Sequence, residues 1–428
     1  MQKGFIFDDQ LCVDCKSCKA ACILENGWKG SPREIFTFNS SASPQLPVIH
    51  LSLACNHCMD PLCMTGCPAG AFSREPDSDA VIVSERKCIG CNYCTWNCPY
   101  DAPKPVREKG VIEKCNLCYT RLAGGLEPAC TSACPTGALK YGSIPEDNLI
   151  NKPDWFPDKN LGPSIWFRRS KKTEILKITP EPSMEHSEVK SVEIPEMISS
   201  DWSLILFTFL TACSVANVCS SIIKGIPGKP VVTIGTLLAA ALASVFHLGR
   251  KFRAFRAILN VRNSPLSREI VLFLIYTSAA VLSSFSESAE LIVITSVTGL
   301  ILLLSIDSVY YFSEGSGKLK LNSGQTFITG LLITSLFAEA IVPFLFIAAI
   351  KLTLTVGSQM GPGRRSVQAI LKFSRFGLLF ISSVALASGL VNFTPVIYGV
   401  VLSGEFLDRI LFYFDFRTLN IDSSIREN

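Results

Sequence analysis

At 428 residues the chain exceeds one ordinary domain, and 18% charged residues with a mean hydropathy of +0.34 make it too apolar for a purely soluble protein. The net charge of +4 comes without any basic tract interleaved with aromatics, so nothing points to nucleic acid as a partner. Of 18 cysteines all but Cys213 and Cys219 precede residue 135, whereas the long uncharged runs lie beyond residue 200, so cysteine chemistry and apolar surplus occupy different parts of the chain.

From the N-terminus, Lys3-Gly4-Phe5-Ile6-Phe7 reads as a strand leading into Cys12, Cys15, Cys18 and Cys22, spaced C-x2-C-x2-C-x3-C. Three more quartets follow: Cys55, Cys58, Cys63 and Cys67; Cys88, Cys91, Cys94 and Cys98; and Cys115, Cys118, Cys130 and Cys134. Ala80–Val83 and Gly110–Ile112 read as the strands that enter the last two. In the CIGCNYCTWNCP run, three closely spaced thiolates can wrap one iron–sulfur cube, while the fourth, followed by Pro99, points toward a second cube in two-cluster ferredoxins. Proline follows the last cysteine of every quartet except the first, where Ile23 stands. Sixteen thiolates match four [4Fe-4S] clusters. Zinc sites also use C-x2-C pairs, but need neither a third cysteine close by nor a trailing C-P. A disulfide framework is disfavoured because MQKGFIFDDQ does not read as a secretory leader.

Short small-residue segments follow the prolines, Ala69-Gly70-Ala71-Phe72 and Thr136-Gly137-Ala138-Leu139, so the quartets repeat as pseudo-twofold pairs. Small residues let backbone amides approach the cluster and tune its potential. The expected fold class is an α+β ferredoxin-like iron–sulfur domain over 1–142, followed by an all-α polytopic transmembrane bundle. Residues 143–200 read as an extension and linker, rich in proline. Trp155-Phe156 and Trp166-Phe167 are expected to staple it onto the cluster domain or a partner, and 171–199 reads as a tether.

Residues 201–413 read as a membrane anchor. A crossing takes about 20 mainly apolar residues. Trp202–Ile223, Pro230–Leu248, Ile270–Ser286, Leu291–Phe312 and Gln325–Ile350 each supply one, and the uncharged run to Gly404 divides at Asn392 and Pro395 into helices over about 374–391 and 395–413. The expectation is about seven transmembrane helices, with six as the alternative, and a C-terminal tail over 414–428. Cys213 and Cys219 sit in an apolar run as packing residues. Between the second and third crossings, His247-Leu248-Gly249-Arg250-Lys251-Phe252-Arg253 begins a basic stretch that reaches Arg268 before meeting Glu269. Charge alone makes it an ordinary positive-inside loop; a membrane histidine makes it a candidate site.

The four quartets resemble the electron-transfer subunit of the dimethyl sulfoxide reductase family of molybdenum enzymes. The run HLGRKFRAFRAILNVRNSPLSREI resembles a loop of that family's membrane anchor, and GEFLDRILFY the anchor's C-terminal end. The chain thus resembles a fusion of two subunits, with an anchor shorter than usual. The resemblance implies that quartets exchange their last cysteines, giving clusters on Cys12/Cys15/Cys18/Cys134, Cys115/Cys118/Cys130/Cys22, Cys55/Cys58/Cys63/Cys98 and Cys88/Cys91/Cys94/Cys67. The first would lie near the catalytic partner and the last near the membrane. Some relatives hold a three-iron cluster in the third quartet, but Cys91 and Cys94 are both present here.

The expected function is electron transfer and membrane anchoring, linking quinone or quinol (menaquinone or ubiquinone) through four [4Fe-4S] clusters to a separate molybdopterin (Mo or W) oxidoreductase subunit. The chain is therefore a subunit of an oxidoreductase whose substrate site lies on another chain. The alternative is an electron-conducting membrane subunit serving a dehydrogenase or hydrogenase. The expected setting is a prokaryotic inner membrane, multi-pass, with the cluster domain in the cytoplasm by the positive-inside rule. Lys351, Arg364, Arg365, Lys372 and Arg375 weigh against that orientation if 325–350 crosses once. A quinone site is expected at His247, Arg250 and Arg256, with Arg250 and Lys251 beside His247 on a continuing helix. Glu405 and Arg409 are expected to pair. No haem is expected, because only His247 of the four histidines lies in the membrane region.

Overall fold

The computed structural model describes residues 3–38, 48–143, 149–151, 153, 156–157, 159–168, 194–225, 230–286, 288–314, 322–357, 366–389 and 392–416. Most of the 171–199 tether and of the C-terminal tail, together with Trp155, Arg364 and Arg365, lies outside them.

The N-terminal domain is a set of cysteine loops held by short strands. Strand β1 (Lys3–Phe7) pairs antiparallel with β8 (Leu139–Ser143) and parallel with β10 (Ile165–Arg168), which pairs with β9 (Leu149–Ile150). Three hairpins complete it: β2 (Glu34–Phe38) with β3 (Ile49–Leu53), β4 (Phe72–Arg74) with β5 (Val81–Val83), and β6 (Lys104–Val106) with β7 (Val111–Glu113). Phe5, Phe7, Leu51, Leu53 and Ile165 form its core beside Cys18, Cys58 and Cys130. The domain boundary at 142 is thereby corrected: β10 joins β1, and Phe156 stacks on Tyr100 at 5.1 Å and meets Phe167 edge-on. The stapling expected of Trp166-Phe167 is this strand pairing.

Helices α1 (Ser17–Asn26), α2 (Leu62–Thr65), α3 (Tyr93–Asn97), α4 (Tyr119–Ala123) and α5 (Ala129–Ser132) carry or directly follow cysteines. Longer helices follow: α6 (Ile194–Lys224), α7 (Pro230–Phe246), α8 (Pro265–Ser284), α9 (Ala289–Glu314), α10 (Thr326–Phe337), α11 (Ile341–Gly357), α12 (Ser366–Ala387) and α13 (Pro395–Asp415). Two apolar cores knit them. One joins α6 to α9 with the end of α13 through Ile205, Phe207, Leu237, Phe273, Tyr276, Leu302 and Tyr413; the other joins α10 to α13 through Leu332, Leu336, Phe344, Leu379 and Val401. Gly299 sits against Val215 and Tyr276, and Gly330 against Leu303, the close approach that small residues give membrane helices. Leu238, Leu242, Leu282, Phe346 and Phe380 point outward, as lipid-facing side chains do.

The single crossing expected over 325–350 is corrected to two helices. Glu339 takes a left-handed backbone (φ 56°) and ends α10, so the chain turns between α10 and α11. Glu339 meets Lys224, at the end of α6, at 2.8 Å, and Tyr398 at the start of α13. Lys224 lies one helix before His247, so this turn belongs to the end of the bundle away from the cluster domain. At the near end, Phe416 closes on Trp96 of the cluster domain at 5.5 Å. Among the described residues, four helices are long and apolar enough to cross a membrane, within α6, α8, α9 and α12, and a bent pair adds a fifth. At 12 residues, α10 spans about 18 Å against a hydrocarbon core of about 30 Å. The near end of the bundle meets the cysteine loops.

Candidate functional site

The residue just before the second cysteine has a left-handed backbone in all four quartets: Asp14 (φ 52°), His57 (φ 42°), Gly90 (φ 68°) and Leu117 (φ 62°). A non-glycine residue pays about 1–2 kcal/mol for that conformation. Three side-chain-bearing residues at one repeated position mean that the loop geometry is demanded by what the loop must surround. The turn swings backbone amides onto sulfur: His57 N lies 3.5 Å from Cys55 Sγ and Leu117 N 3.4 Å from Cys115 Sγ. The segments after the C-P pairs do the same for the last cysteines. Ala71 N donates to Cys67 Sγ at 3.3 Å, and amides of Leu139, Thr136 and Ala138 face Cys134.

The fold then brings cysteines of different quartets together. Cys55, Cys58, Cys63 and Cys98 line one cavity with Asn97, Tyr100, Lys114 and Leu161. Burial pushes the Cys58 thiol far up, and the charges of Cys55, Cys98 and Cys63 push it further. Burial also raises Cys94, followed by Cys91, Cys63, Cys67 and Cys88. Cys22 is raised to about 12 by burial, with Cys130 and Cys118 among its neighbours, and Cys12, raised by burial, faces Cys18 and Cys134. Cys15 is exposed at the tip of the first loop. Sulfurs so crowded and so short of water are costly unless something withdraws their protons.

Among the described residues no three His, Cys, Asp or Glu side chains close on a single metal ion. Cys55, Cys58, Cys63 and Cys98 instead surround a space, with amides directed at sulfur here and at Cys67 and Cys115. That arrangement fits a multi-iron cube and does not fit tetrahedral zinc.

The basic loop docks on one of these cysteine groups. Helix α7 stops at Phe246, and the chain bends by 104° into a 3-10 helix (Lys251–Ile258). Leu248, Ala254 and Ala257 pack on a layer containing Cys67, Cys88, Ile89 and Cys94. Gly249 N donates to Gly90 O (3.2 Å) and Arg250 N to Ile89 O (3.0 Å), inside the CIGC sequence itself. Arg253 reaches the Cys88 carbonyl at 3.2 Å, and Asn260 donates to the Cys67 and Thr65 carbonyls at 2.9 and 3.0 Å. Ser264 caps α8 through Ser267 N, with Pro265 in the first turn, so the loop returns to the bundle at a fixed angle.

One expectation is corrected here. Because α7 ends before His247, Arg250 and Lys251 do not share a helix face with it. Arg250 is exposed and spends its amide on Ile89, while Lys251 lies over the Phe246 ring at 4.4 Å. His247 Nδ1 and Arg256 Nε are both buried without a hydrogen-bond partner.

Glu405 and Arg409 do not pair either. Glu405 meets Lys351 at 2.5 Å, Lys351 meets Asp408 at 3.2 Å, and Arg375 meets Asp408 at 2.8 Å, all within the bundle. Arg409 instead donates to Gly324 O and Thr208 Oγ1 and lies over Tyr310, Phe412 and Tyr413.

Glu269, Arg33 and Lys114 are among the buried charged residues that the sequence does not reveal. Glu269, in the first turns of α8, is 6% exposed and within electrostatic reach of Arg409 and Asp307; its place in an amphipathic-looking helix start concealed it. Arg33 and Lys114 are 1% and 2% exposed inside the cysteine domain, though in sequence each looks like a surface charge. Lys114 Nζ lies 3.4 Å from Cys55 Sγ and donates to the Cys115 and Val81 carbonyls.

Residues 47–144 match the family model of the 4Fe-4S dicluster domain, and residues 197–356 match that of the DMSO reductase anchor subunit. One polypeptide of the anaerobic dimethyl sulfoxide reductase of Haemophilus influenzae is 39% identical over 156 residues, 34% of this chain and 76% of that protein. The thiosulfate reductase electron transfer subunit of Salmonella typhi is 35% identical over 35% of this chain and 79% of that protein. A sulfite dehydrogenase subunit of Allochromatium vinosum is 32% identical over 33% of this chain and 69% of that protein.

Proposed function

The chain belongs to the dimethyl sulfoxide reductase family, as an iron–sulfur electron-transfer subunit fused to its membrane anchor, and we propose that it carries electrons between membrane quinol and a molybdopterin-containing catalytic partner through four [4Fe-4S] clusters. Electron transfer and anchoring follow from the family. The number of clusters, their ligands, the quinone site and the partner are the proposal. Its main support is the grip of the 247–264 loop on the CIGC and Cys67 segments, because this is where a membrane site and a cysteine group meet.

The cluster ligands are Cys12/Cys15/Cys18/Cys134, Cys115/Cys118/Cys130/Cys22, Cys55/Cys58/Cys63/Cys98 and Cys88/Cys91/Cys94/Cys67, in keeping with the neighbours around each sulfur. When bound, the clusters supply one-electron transfer. The chain's own residues keep water from the sulfurs and direct amides at them. Cys15 is exposed among the exposed apolar Leu11, Val13 and Leu24, which suits docking of the catalytic partner at that end.

At the membrane end, quinol oxidation releases two electrons and two protons. His247 offers Nδ1 to a quinol hydroxyl, and Arg256 offers Nε–H to an oxygen of the ring. Arg250 borders the site as an exposed charge. No haem is required in this path.

The cluster domain and the basic loop are assigned to the cytoplasmic side by the positive-inside rule. Lys351 and Arg375, which counted against that orientation, are buried ion-pair partners and not loop charges. A reporter fused after Asn428 and another within 313–324 test this; activity of the 313–324 fusion only on the periplasmic side contradicts it.

The anaerobically purified chain is expected to hold about sixteen irons and as many acid-labile sulfides. Iron near eight, or stoichiometric zinc, contradicts the reading. A His247→Ala variant with full iron content is expected to lose quinol-linked turnover and affinity for quinone analogues; survival of both removes His247 from the site.

A further inference from the structure

Resting on the four-cluster reading above, we propose that Arg33 and Lys114 are fixed cationic spacers in the cluster row, Arg33 between the Cys12 and Cys115 groups and Lys114 between the Cys115 and Cys55 groups, each raising the reduction potentials of the two clusters it separates. Both side chains are almost completely buried. A buried cation is tolerated only when opposite charge surrounds it. Among the described residues, the opposite charges that face these two are cysteine sulfurs. For Arg33 they are Cys130, Cys115, Cys18 and Cys22, which belong to the first two clusters. For Lys114 they are Cys55, Cys63 and Cys115, which belong to the second and third.

Both cations are held in place by groups that carry no charge. Arg33 donates to Ser52 O and Oγ at 3.2 Å and lies over the Phe5 ring at 4.8 Å. Ser52 Oγ in turn lies 3.4 Å from Cys18 Sγ. Lys114 donates to the carbonyls of Val81 and Cys115, and Nζ lies 3.4 Å from Cys55 Sγ.

Reduction adds one negative charge to a cluster that is already anionic with its four thiolates. A positive charge fixed in a dry interior favours the reduced form and does so for both clusters it touches. It also lessens the repulsion between electrons that occupy neighbouring clusters, which a row of anionic sites must overcome to conduct. No cation is among the charges that weigh most on Cys67, Cys91 and Cys94. Arg253, at the domain surface, spends its guanidinium on the Glu85 and Cys88 carbonyls.

The test is an EPR-monitored redox titration of the purified full chain with Lys114→Gln, Lys114→Arg, Arg33→Gln and Arg33→Lys, with iron content measured on each. Lys114→Gln keeps a donor for the two carbonyls and is expected to lower the midpoints of two clusters while leaving the Cys88 group unmoved. Arg33→Gln is expected to lower a different pair that shares one member with the first. The charge-conserving variants are expected to stay near wild type. Unchanged midpoints in loaded Gln variants, or an equal shift of all four clusters, overturn the proposal. If the Gln variants lose iron while the charge-conserving variants keep it, the positive charge itself acts on the clusters, which supports the proposal; loss of iron in all four variants counts against it. Absence of clusters from the wild-type chain would instead refute the cluster reading on which the proposal rests.

Discussion

Gly249 and Gly110 touch backbone to backbone: a Cβ built on Gly249 would fall 2.5 Å from the carbonyl oxygen of Gly110. Gly90, with φ 68°, completes the contact, and a Cβ there would meet both. Membrane loop and cysteine domain therefore approach as closely as two backbones can. A Gly249→Val variant is expected to lift the loop from the cluster layer at a cost of about 1–3 kcal/mol. Its signature is intact clusters by EPR that dithionite reduces and quinol does not. Normal quinol reduction in this variant would show that the close approach is not needed.

Removal of iron should unfold the cysteine domain. Without clusters, Arg33 and Lys114 would stand buried among thiols whose burial resists ionisation, and no carboxylate among the described residues faces them. Chelation under oxidising conditions is expected to abolish amide protection in β1, β3 and β7 while leaving α8 and α9 protected. Retained protection in those strands would mean that the domain folds without its cofactors.

The Lys351–Glu405–Asp408–Arg375 network gives a stability prediction with a defined sign. Lys351→Met leaves two buried carboxylates short of a cation and is expected to cost about 3–5 kcal/mol. The double variant Lys351→Met/Glu405→Leu removes one charge of each sign and is expected to recover most of that loss. Thermal unfolding in detergent, followed by the midpoint, reads both. Equal destabilisation by single and double variants would mean that packing, not charge, dominates there.

How much of this was legible in the sequence depends on distance along the chain. The quartets were readable because each loop wraps its site with neighbouring residues, and the strands entering them followed from Phe5, Val81 and Val111. The meeting of Cys98 with Cys55, Cys58 and Cys63 around one cavity is non-local; spacing alone does not select it, and the family resemblance implies it. Arg33 and Lys114 were missed because burial of a charge leaves no local trace when its partners are sulfurs tens of residues away. The turn at Glu339 left one clue, a single carboxylate in an apolar run, and continuity of hydropathy overrode it. The bend after Phe246 overturned a helix-face argument at Arg250 and Lys251, since Leu248-Gly249 carries no proline to announce it. Trp166-Phe167 announced that the extension was not free, but only strand pairing with β1 shows why.

Electrons are proposed to pass between quinol and the cluster row through the docked 247–264 loop. The most direct measurement is anaerobic addition of a reduced quinol to the purified complex, with clusters counted by EPR against a dithionite-reduced sample. Quinol is expected to reduce those clusters whose potentials permit it, a quinone-site inhibitor to block the reduction, and His247→Ala and Gly249→Val to suppress it with iron content unchanged. Clusters that dithionite reduces fully but quinol leaves oxidised in the wild type, at a potential where reduction is favourable, would contradict it.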